Sequence, residues 1–347
     1  MKSVRSITPE RLDTLLTKMA SVKALSIGDL CLDVYWFADM TKSELSRETP
    51  HHPLPIVRES YSAGAGGNAV VNLAALNPQV APIGVVGCDW RGECLLAALK
   101  QAGVSTDRII RSENHITNAY CKPMRIGYAG VPTEDPRLDF EMRKPLGKET
   151  EDALLETLEK AVPEAELLCV SDQFTYGCIT PRVREAINRY AANGLLTVVD
   201  SRDRIKEYRH AILKPNEIEC ARALGLPDAT LSEEASEDEL LSAATALASL
   251  CDASVCLTLG KRGSLFVNGG KAVRAASVFT PPPVDTVGAG DTFLSALSLA
   301  LAAGAEPYEA ALLGALASSV SVGKLHTTGS ATAEEIRARY TEATEAK

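Results

Sequence analysis

An α/β fold is what this sequence predicts: a central, mostly parallel sheet flanked by helices, with a small accessory β-sheet serving as a lid. Three observations lead there. From Thr150 onward, apolar strand-like runs alternate with helical stretches, the pattern of a parallel sheet covered on both faces. Two glycine turns, Gly64 to Gly67 and Gly288 to Gly290, open into helical stretches. A chain of 347 residues with 46% hydrophobic content also buries enough surface to need no staples. No long linker, internal repeat or low-complexity block interrupts it, so residues 1–347 read as a single domain with its lid inserted.

The elements follow in order. Thr8-Pro9-Glu10 marks a helix start, with Thr8 as cap and Pro9 at the first helical position, and the helix ends near Ala20. Lys23 to Leu32 reads as a buried first strand. Val34 to Phe37 and Leu54 to Val57 flank a polar, Pro-containing stretch and suit an accessory sheet more than the core. A helix runs from the Gly64 turn through Leu76, a strand spans Pro82 to Val86, and a helix spans Glu93 to Ala102. Thr117 to Arg125 and Leu138 to Glu141 are a further strand-like pair. Then come helix 150–161, strand 167–171, helix 181–193, strand 196–200, a short strand 211–214 and helix 217–224. Helix 237–250, strands 253–259 and 264–268 and the apolar helix 292–303 complete the reading, and the acidic run Ser232 to Glu239 is a solvated loop and helix start.

Composition excludes several classes. A net charge of −9 argues against nucleic acid as a partner, which needs a basic face, but not against a small phosphorylated ligand. Nine scattered cysteines form no CxxC pair and read as buried, reduced thiols of a cytoplasmic protein. The first 22 residues lack the apolar region of a signal peptide, and the longest apolar run is too short for a membrane span. The five histidines are isolated or sit in the lid loop, so no zinc site or Ser/His/Asp constellation emerges.

The chemistry concentrates in Asp285-Thr286-Val287-Gly288-Ala289-Gly290-Asp291-Thr292-Phe293. Gly288 and Gly290 let main-chain N–H groups approach a ligand closely. The helix that follows points unpaired N–H groups and the positive end of its dipole outward, and phosphate is the usual occupant of such a site. Asp291 at that mouth either caps the helix or takes a proton from a hydroxyl attacking a phosphoryl group. A second glycine pattern, Gly64-x-Gly66-x-x-Ala69 with Asp89 about 20 residues on, imitates a dinucleotide fingerprint. Ile56 to Ser62 before it is polar and interrupted, however, and the turn is not the first βα turn, so a nicotinamide site is disfavoured. No G-x-x-x-x-G-K-[ST] loop exists.

Gly28-Asp29 with Asp33, Gly64-Ala65-Gly66-Gly67-Asn68, Asn216-Glu217-Ile218-Glu219, Thr258-Leu259-Gly260 and Asp285 to Asp291 occur in the order seen in the ribokinase-like (PfkB) carbohydrate kinases. The chain resembles that family over essentially its whole length. The resemblance implies a lid made from about 34–57 and 117–141, and ATP-dependent phosphoryl transfer to a hydroxyl of a sugar or sugar phosphate. It makes Asp291 the proton acceptor and Gly288, Ala289 and Gly290 the anion cradle. Asp33, Gly66, Gly67, Asn68, Arg125 and Asp172 fall on the substrate side, and Asn216, Thr258, Gly260 and Gly263 on the nucleotide side. Glu219 serves Mg²⁺ through water, as hard oxygen ligation suits that ion. Asp285 is the candidate for a monovalent cation, K⁺ being an optional requirement. Lys261 and Arg262 read as solvated. The expected partners are ATP and a small sugar, with no nucleic acid and no membrane, and the lid admits pairing into a homodimer.

Physical readings accompany these. Asp33 follows the first strand, at the end where open α/β sheets bind ligands, and Asn68 can both donate to and accept from hydroxyls. An ordinary Asp is a weak base, so its proton transfer would come late in the reaction.

A closer similarity within the family is to heptose-7-phosphate kinases. It rests on Gly28 to Trp36, Pro55-Ile56-Val57, Asn68-x-x-x-Asn72-Leu73-Ala74, Leu138-Asp139-Phe140-Glu141 and Val322-Gly323-Lys324-Leu325. This sequence differs from those enzymes at Val34, Tyr176, Cys178, Arg202 and His326, mostly near the sugar. The similarity implies a phosphorylated seven-carbon acceptor taking phosphate at its anomeric hydroxyl, with Arg47, Arg125, Arg143 and Arg202 as candidates for its phosphate. The nucleotidyltransferase domain fused to some of those proteins is not expected in a chain ending at Lys347. Alternatives are a family kinase for ribose, fructose or adenosine, or a non-catalytic sugar- or nucleotide-binding regulator.

Overall fold

Helix α1 (Pro9–Met19) begins as its sequence dictates, with the Thr8 hydroxyl accepting from the Arg11 amide at 3.2 Å. Leu12, Leu15, Leu16 and Met19 form its buried face. The computed structural model describes residues 7–324 and 329–345, so Leu325 and His326 of the similarity above lie outside the described residues. The expected first strand is divided. β1 (Ala24–Gly28) is fully buried, and after Asp29 the chain leaves the main sheet as β2 (Leu30–Asp39).

β3 (Ile56–Ala65) returns beside β2, α2 (Gly66–Leu76) follows at once, and then come β4 (Ala81–Gly87), α3 (Trp90–Gln101) and β5 (Ile109–Ser112). The lid is completed by β6 (Asn118–Ile126), β7 (Pro132–Glu134) and β8 (Leu138–Phe140). Next are α4 (Lys148–Ala161), β9 (Leu167–Asp172), α5 (Pro181–Ala192), β10 (Leu196–Ser201), β11 (Ile212–Leu213), α6 (Glu217–Ala223) and α7 (Glu237–Cys251). The chain ends with β12 (Ser254–Thr258), β13 (Ser264–Asn268), β14 (Lys271–Ala275), α8 (Ala289–Ala302), α9 (Pro307–Ser321) and α10 (Ala333–Glu345).

The main sheet has nine strands in the order β14-β13-β12-β11-β10-β9-β1-β4-β5. All its pairs are parallel except those made by β13. Helices α1, α2, α8 and α9 cover one face, and α4, α5, α6 and α7 cover the other. The strand order turns at β1, which lies between β9 and β4, so a crevice opens beyond the carboxyl ends of β1 and β9. The lid sheet runs β3-β2-β6-β7 with β8 on β6, and its base packs on α3 through Leu32, Val34, Leu95 and Leu99. The polar run before the Gly64 turn is thus an exposed lid strand.

All nine cysteines are unpaired and seven of them are buried. No helix among the described residues is long and apolar enough to cross a membrane.

Candidate active site

A cleft of about 200 Å³ lies between the lid and the carboxyl end of the sheet. Asp33, Asn68 and Asp291 face it together with Lys122, Arg137 and Arg202, and Tyr120 and Phe174 close one side. A larger hollow of about 630 Å³ sits at the opposite end of the strands, far from these groups.

Helix α8 brings Asp291 into place. Gly288 caps it with φ 76°, a left-handed conformation that favours glycine. The first backbone bond of the helix joins the Thr292 amide to the Gly288 carbonyl at 3.0 Å, which leaves the Gly290 and Asp291 amides ahead of the ladder. Ala289 departs from the expectation of a cradle donor, because its amide is turned to the Thr286 carbonyl at 3.2 Å.

Asp291 accepts from the Asn68 side-chain amide at 2.5 Å. Asn72 donates to Asn68 Oδ1 at 3.1 Å, and the Thr292 hydroxyl donates to Asn72 Oδ1 at 2.8 Å. This chain across α2 and α8 fixes the carboxylate, so Asn68 orients Asp291 as well as lining the cleft. Asp291 is enclosed by protein yet keeps an opening to the cleft. Burial, with the charge of Asp200 next, pushes its pKa up to about 7, against the Asn68 bond and Lys214. The expectation of an ordinary, weak base is therefore corrected.

Asp33 lies in lid strand β2 and not at a turn after the first strand, its Oδ1 3.8 Å from Lys122 Nζ. Burial raises its pKa, opposed by Lys122 and Arg137. Gly66 and Gly67 do not line the cleft. Both are buried at the start of α2, where a Cβ on Gly66 would approach the Asp29 carbonyl to 2.8 Å and one on Gly67 the Ala63 Cβ to 3.0 Å. Close packing accounts for the lack of a side chain at both, and the positive φ of this turn (48°) falls on Ala65.

Two further substrate-side expectations change. Arg125 points away and pairs with Asp135 at 2.7 Å on the outer lid. Asp172 has its carboxylate fully enclosed, held by Arg204, by the Ser201 hydroxyl at 2.9 Å and by the Tyr208 hydroxyl at 2.9 Å. Its contribution is indirect, since its carbonyl accepts the amide of Arg202 at 3.1 Å. Arg47 and Arg143 are exposed and do not reach the cleft. Lys122 and Arg137, which do, carried no local motif; only the alternation of β6 and the lid pairing place them.

On the side expected to take the nucleotide, Asn216 and Glu219 form a capping box at α6. Asn216 Oδ1 accepts from the Glu219 amide at 2.9 Å, and Glu219 Oε2 accepts from the Asn216 amide at 2.8 Å. One carboxylate oxygen, Oε2, is spent on the cap. Burial and then Asp200 raise the Glu219 pKa to about 7, against Lys214. Lys214 is buried with Nζ 3.4 Å from Asp200 Oδ2. Burial lowers its pKa, but Asp200, Glu219 and Asp291 outweigh that and leave it raised. Neither Lys214 nor Asp200 was singled out from sequence as a site residue.

Thr258 bridges to Asn216, and its hydroxyl donates to the Pro215 carbonyl at 3.2 Å. Gly260 and Gly263 bound the next turn, where Lys261 is solvated as expected. Arg262 is not: it lies partly buried against the Leu231 and Ala235 carbonyls and Glu217. Asp285 Oδ1 accepts from the Val287 amide at 3.0 Å, just before the cradle.

Solved structures share the fold. The Arabidopsis thaliana ribokinase solved with ribose and ATP aligns with TM-score 0.65 at 19% identity, covering 93% of this chain and 98% of that one. Escherichia coli phosphofructokinase-2 in complex with potassium aligns with TM-score 0.67 at 20% identity, covering 93% and 99%. The architecture is ribokinase-like. Residues 23–334 match the pfkB family carbohydrate kinases, and the chain belongs to that family. Among its relatives is the bifunctional protein HldE of Geotalea uraniireducens, 33% identical over 322 residues, which cover 92% of this chain and 63% of that protein. HldE of Hyphomonas neptunium is 30% identical over 339 residues, covering 94% and 65%. The chain spans less than two thirds of the length of these relatives.

Proposed function

We propose that this carbohydrate kinase transfers the γ-phosphoryl group of ATP to a hydroxyl of a phosphorylated sugar, a heptose 7-phosphate at its anomeric position. The observation that carries this reading is the set of three cations, Lys122, Arg137 and Arg202, in the cleft that also holds Asp33 and Asp291. An unphosphorylated sugar needs hydroxyl partners, whereas phosphate suits guanidinium donors. The HldE relatives support the same substrate class. The reading places the enzyme in the cytoplasm, where ATP is supplied.

Asp291 accepts the hydroxyl proton, and the amides of Gly290 and Asp291 face the transferring group. Asn216, Thr258, Gly260 and Gly263 belong to the nucleotide end, with Lys214 between the two ends. Glu219 fits Mg²⁺, because its second oxygen is a hard ligand beside the acidic Asp200. Among the described residues no three His, Cys, Asp or Glu side chains gather to hold a metal. The ion would therefore keep water and phosphate ligands, as Mg²⁺ usually does. When bound, it supplies charge neutralisation on the phosphates.

The deciding experiment measures ADP release with heptose 7-phosphate, unphosphorylated heptose, ribose, fructose and adenosine at matched concentration. Preference for heptose 7-phosphate is expected; preference for an unphosphorylated acceptor retires the sugar-phosphate assignment. Glu219→Gln tests the metal assignment without removing the cap, since the amide oxygen still accepts from Asn216. The Mg²⁺ concentration giving half activity should rise about tenfold or more while the acceptor KM stays near its original value. Unchanged metal dependence would remove Glu219 from the metal site.

A further inference from the structure

Asp29 lies behind the cleft, is 2% exposed, and takes no part in the chemistry above. Its carboxylate nevertheless gathers three backbone donors from one loop. Oδ2 accepts from the Gln173 and Phe174 amides at 2.8 Å each, and Oδ1 accepts from the Cys178 amide at 2.7 Å. Its own backbone ties in two more elements: the Asp29 amide donates to the Ser171 carbonyl at 3.0 Å, and its carbonyl accepts from the Gly66 amide at 2.8 Å. The loop leaves no room at this contact, since a Cβ on Gly177 would overlap the Asp29 carboxylate. Gln173 and Phe174 are the residues this loop presents to the cleft. Phe174 packs on Tyr120 with ring centroids 6.2 Å apart, and the Arg137 guanidinium lies 4.0 Å over the Tyr120 ring. A continuous set of contacts thus runs from Asp29 to one of the cleft cations.

We propose that Asp29 is a positioning residue for the acceptor: from behind the cleft it fixes the 173–178 loop and so sets acceptor affinity through Gln173 and Phe174. This deepens the sugar-phosphate reading and rests on it for the identity of the acceptor. Short charge-assisted bonds to three donors at the two ends of the loop hold it more firmly than neutral contacts would. An Asn at position 29 keeps the shape but turns an NH₂ group toward at least one of those amides, so the loop must shift. The nucleotide end, built from α6 and the β12 turn, makes no contact with this loop through Asp29.

The test uses the full chain with heptose 7-phosphate and MgATP. Asp29→Asn should raise the acceptor KM about tenfold, as expected for one lost charged hydrogen bond, with the ATP KM within about twofold. Phe174→Ala should raise the same KM, and the double variant should be no worse than the poorer single one, because the two changes act through one loop. In the unliganded protein, hydrogen exchange at the 173–178 amides should accelerate in Asp29→Asn while α7 and α8 stay protected. Multiplicative effects in the double variant, an unchanged acceptor KM, or exchange rising equally everywhere would overturn the proposal. Should Asp29→Asn fail to fold, Gly177→Ala strains the same contact and must raise the acceptor KM alone; no change there also overturns it. If the wild type does not use heptose 7-phosphate, the substrate reading fails by itself, and the exchange measurement still judges Asp29.

Discussion

Asp291→Asn is expected to lower kcat by about 10²–10⁴-fold while the affinity for ATP stays within a few-fold. The amide retains the shape, still accepts from Asn68 and leaves the α8 amides in place, so only the base is lost. The expected effect is large because the carboxylate is tuned: burial, with Asp200 next, brings its pKa to about 7, where a base combines adequate ionisation with adequate strength. Wild-type activity should accordingly climb as pH rises and level off above about 7, and the residual activity of the variant should lack that limb. A stability effect of opposite sign accompanies it. The folded pKa lies above the ordinary 3.8, so the fold binds this proton more tightly than the unfolded chain does. Ionising Asp291 therefore destabilises the fold progressively from about pH 4 to 7, and the penalty is full at higher pH. Asp291→Asn should melt at a higher temperature than wild type at pH 8, with the difference vanishing near pH 4, on the order of a few kcal/mol at most. Retention of more than about a tenth of wild-type kcat would remove Asp291 from the proton-acceptor role.

Local chemistry is what the sequence made readable. Thr8, Pro9 and the glycine turn before α8 act within a few residues of themselves, and each appears in the structure where its composition placed it. Elements lacking a periodic apolar stripe were not read. β5, β7 and β14 are short, and α9 is apolar on nearly every side, with no polar face to reveal a helical period. The division of the first strand at Asp29 depends on a loop more than 140 residues away, which no local window contains. The same holds for the cleft. Asp291 and Asn68 announce themselves through glycine turns, and Asp33 is expected at a strand end but stands inside β2, while Lys122, Arg137 and Lys214 become site residues only once lid and sheet assemble. Arg125 and Arg137 illustrate this on neighbouring lid segments: Arg125 is drawn outward by Asp135, while Arg137 lies over Tyr120 in the cleft.

Arg202→Met should separate phosphorylated from unphosphorylated acceptors. Arg202 follows β10, its amide bonded to the Asp172 carbonyl, while the Asp172 carboxylate locks the same turn through Ser201 and Arg204. The turn is thus rigid, and among the described residues the Arg202 side chain makes no ion pair. Arg137, by contrast, already pairs with Asp139 through two bonds of 2.6 and 2.7 Å, so part of its charge is neutralised. A hydrogen bond to a charged group contributes about 1.5–3 kcal/mol, so losing Arg202 should lower kcat/KM for heptose 7-phosphate by about 10- to 150-fold. With Arg137→Met added, the loss should reach about 10²–10⁴-fold, provided the two guanidinium groups act independently. Unphosphorylated heptose should change by no more than a few-fold in either variant, because Asp33 and Asn68 remain to meet its hydroxyls. The single variant is the cleaner probe, since removing Arg137 also exposes the Asp139 carboxylate to the incoming phosphate. Equal losses on both acceptors would mean that Arg202 organises the cleft instead of reading phosphate, and the three cations would then need another ligand.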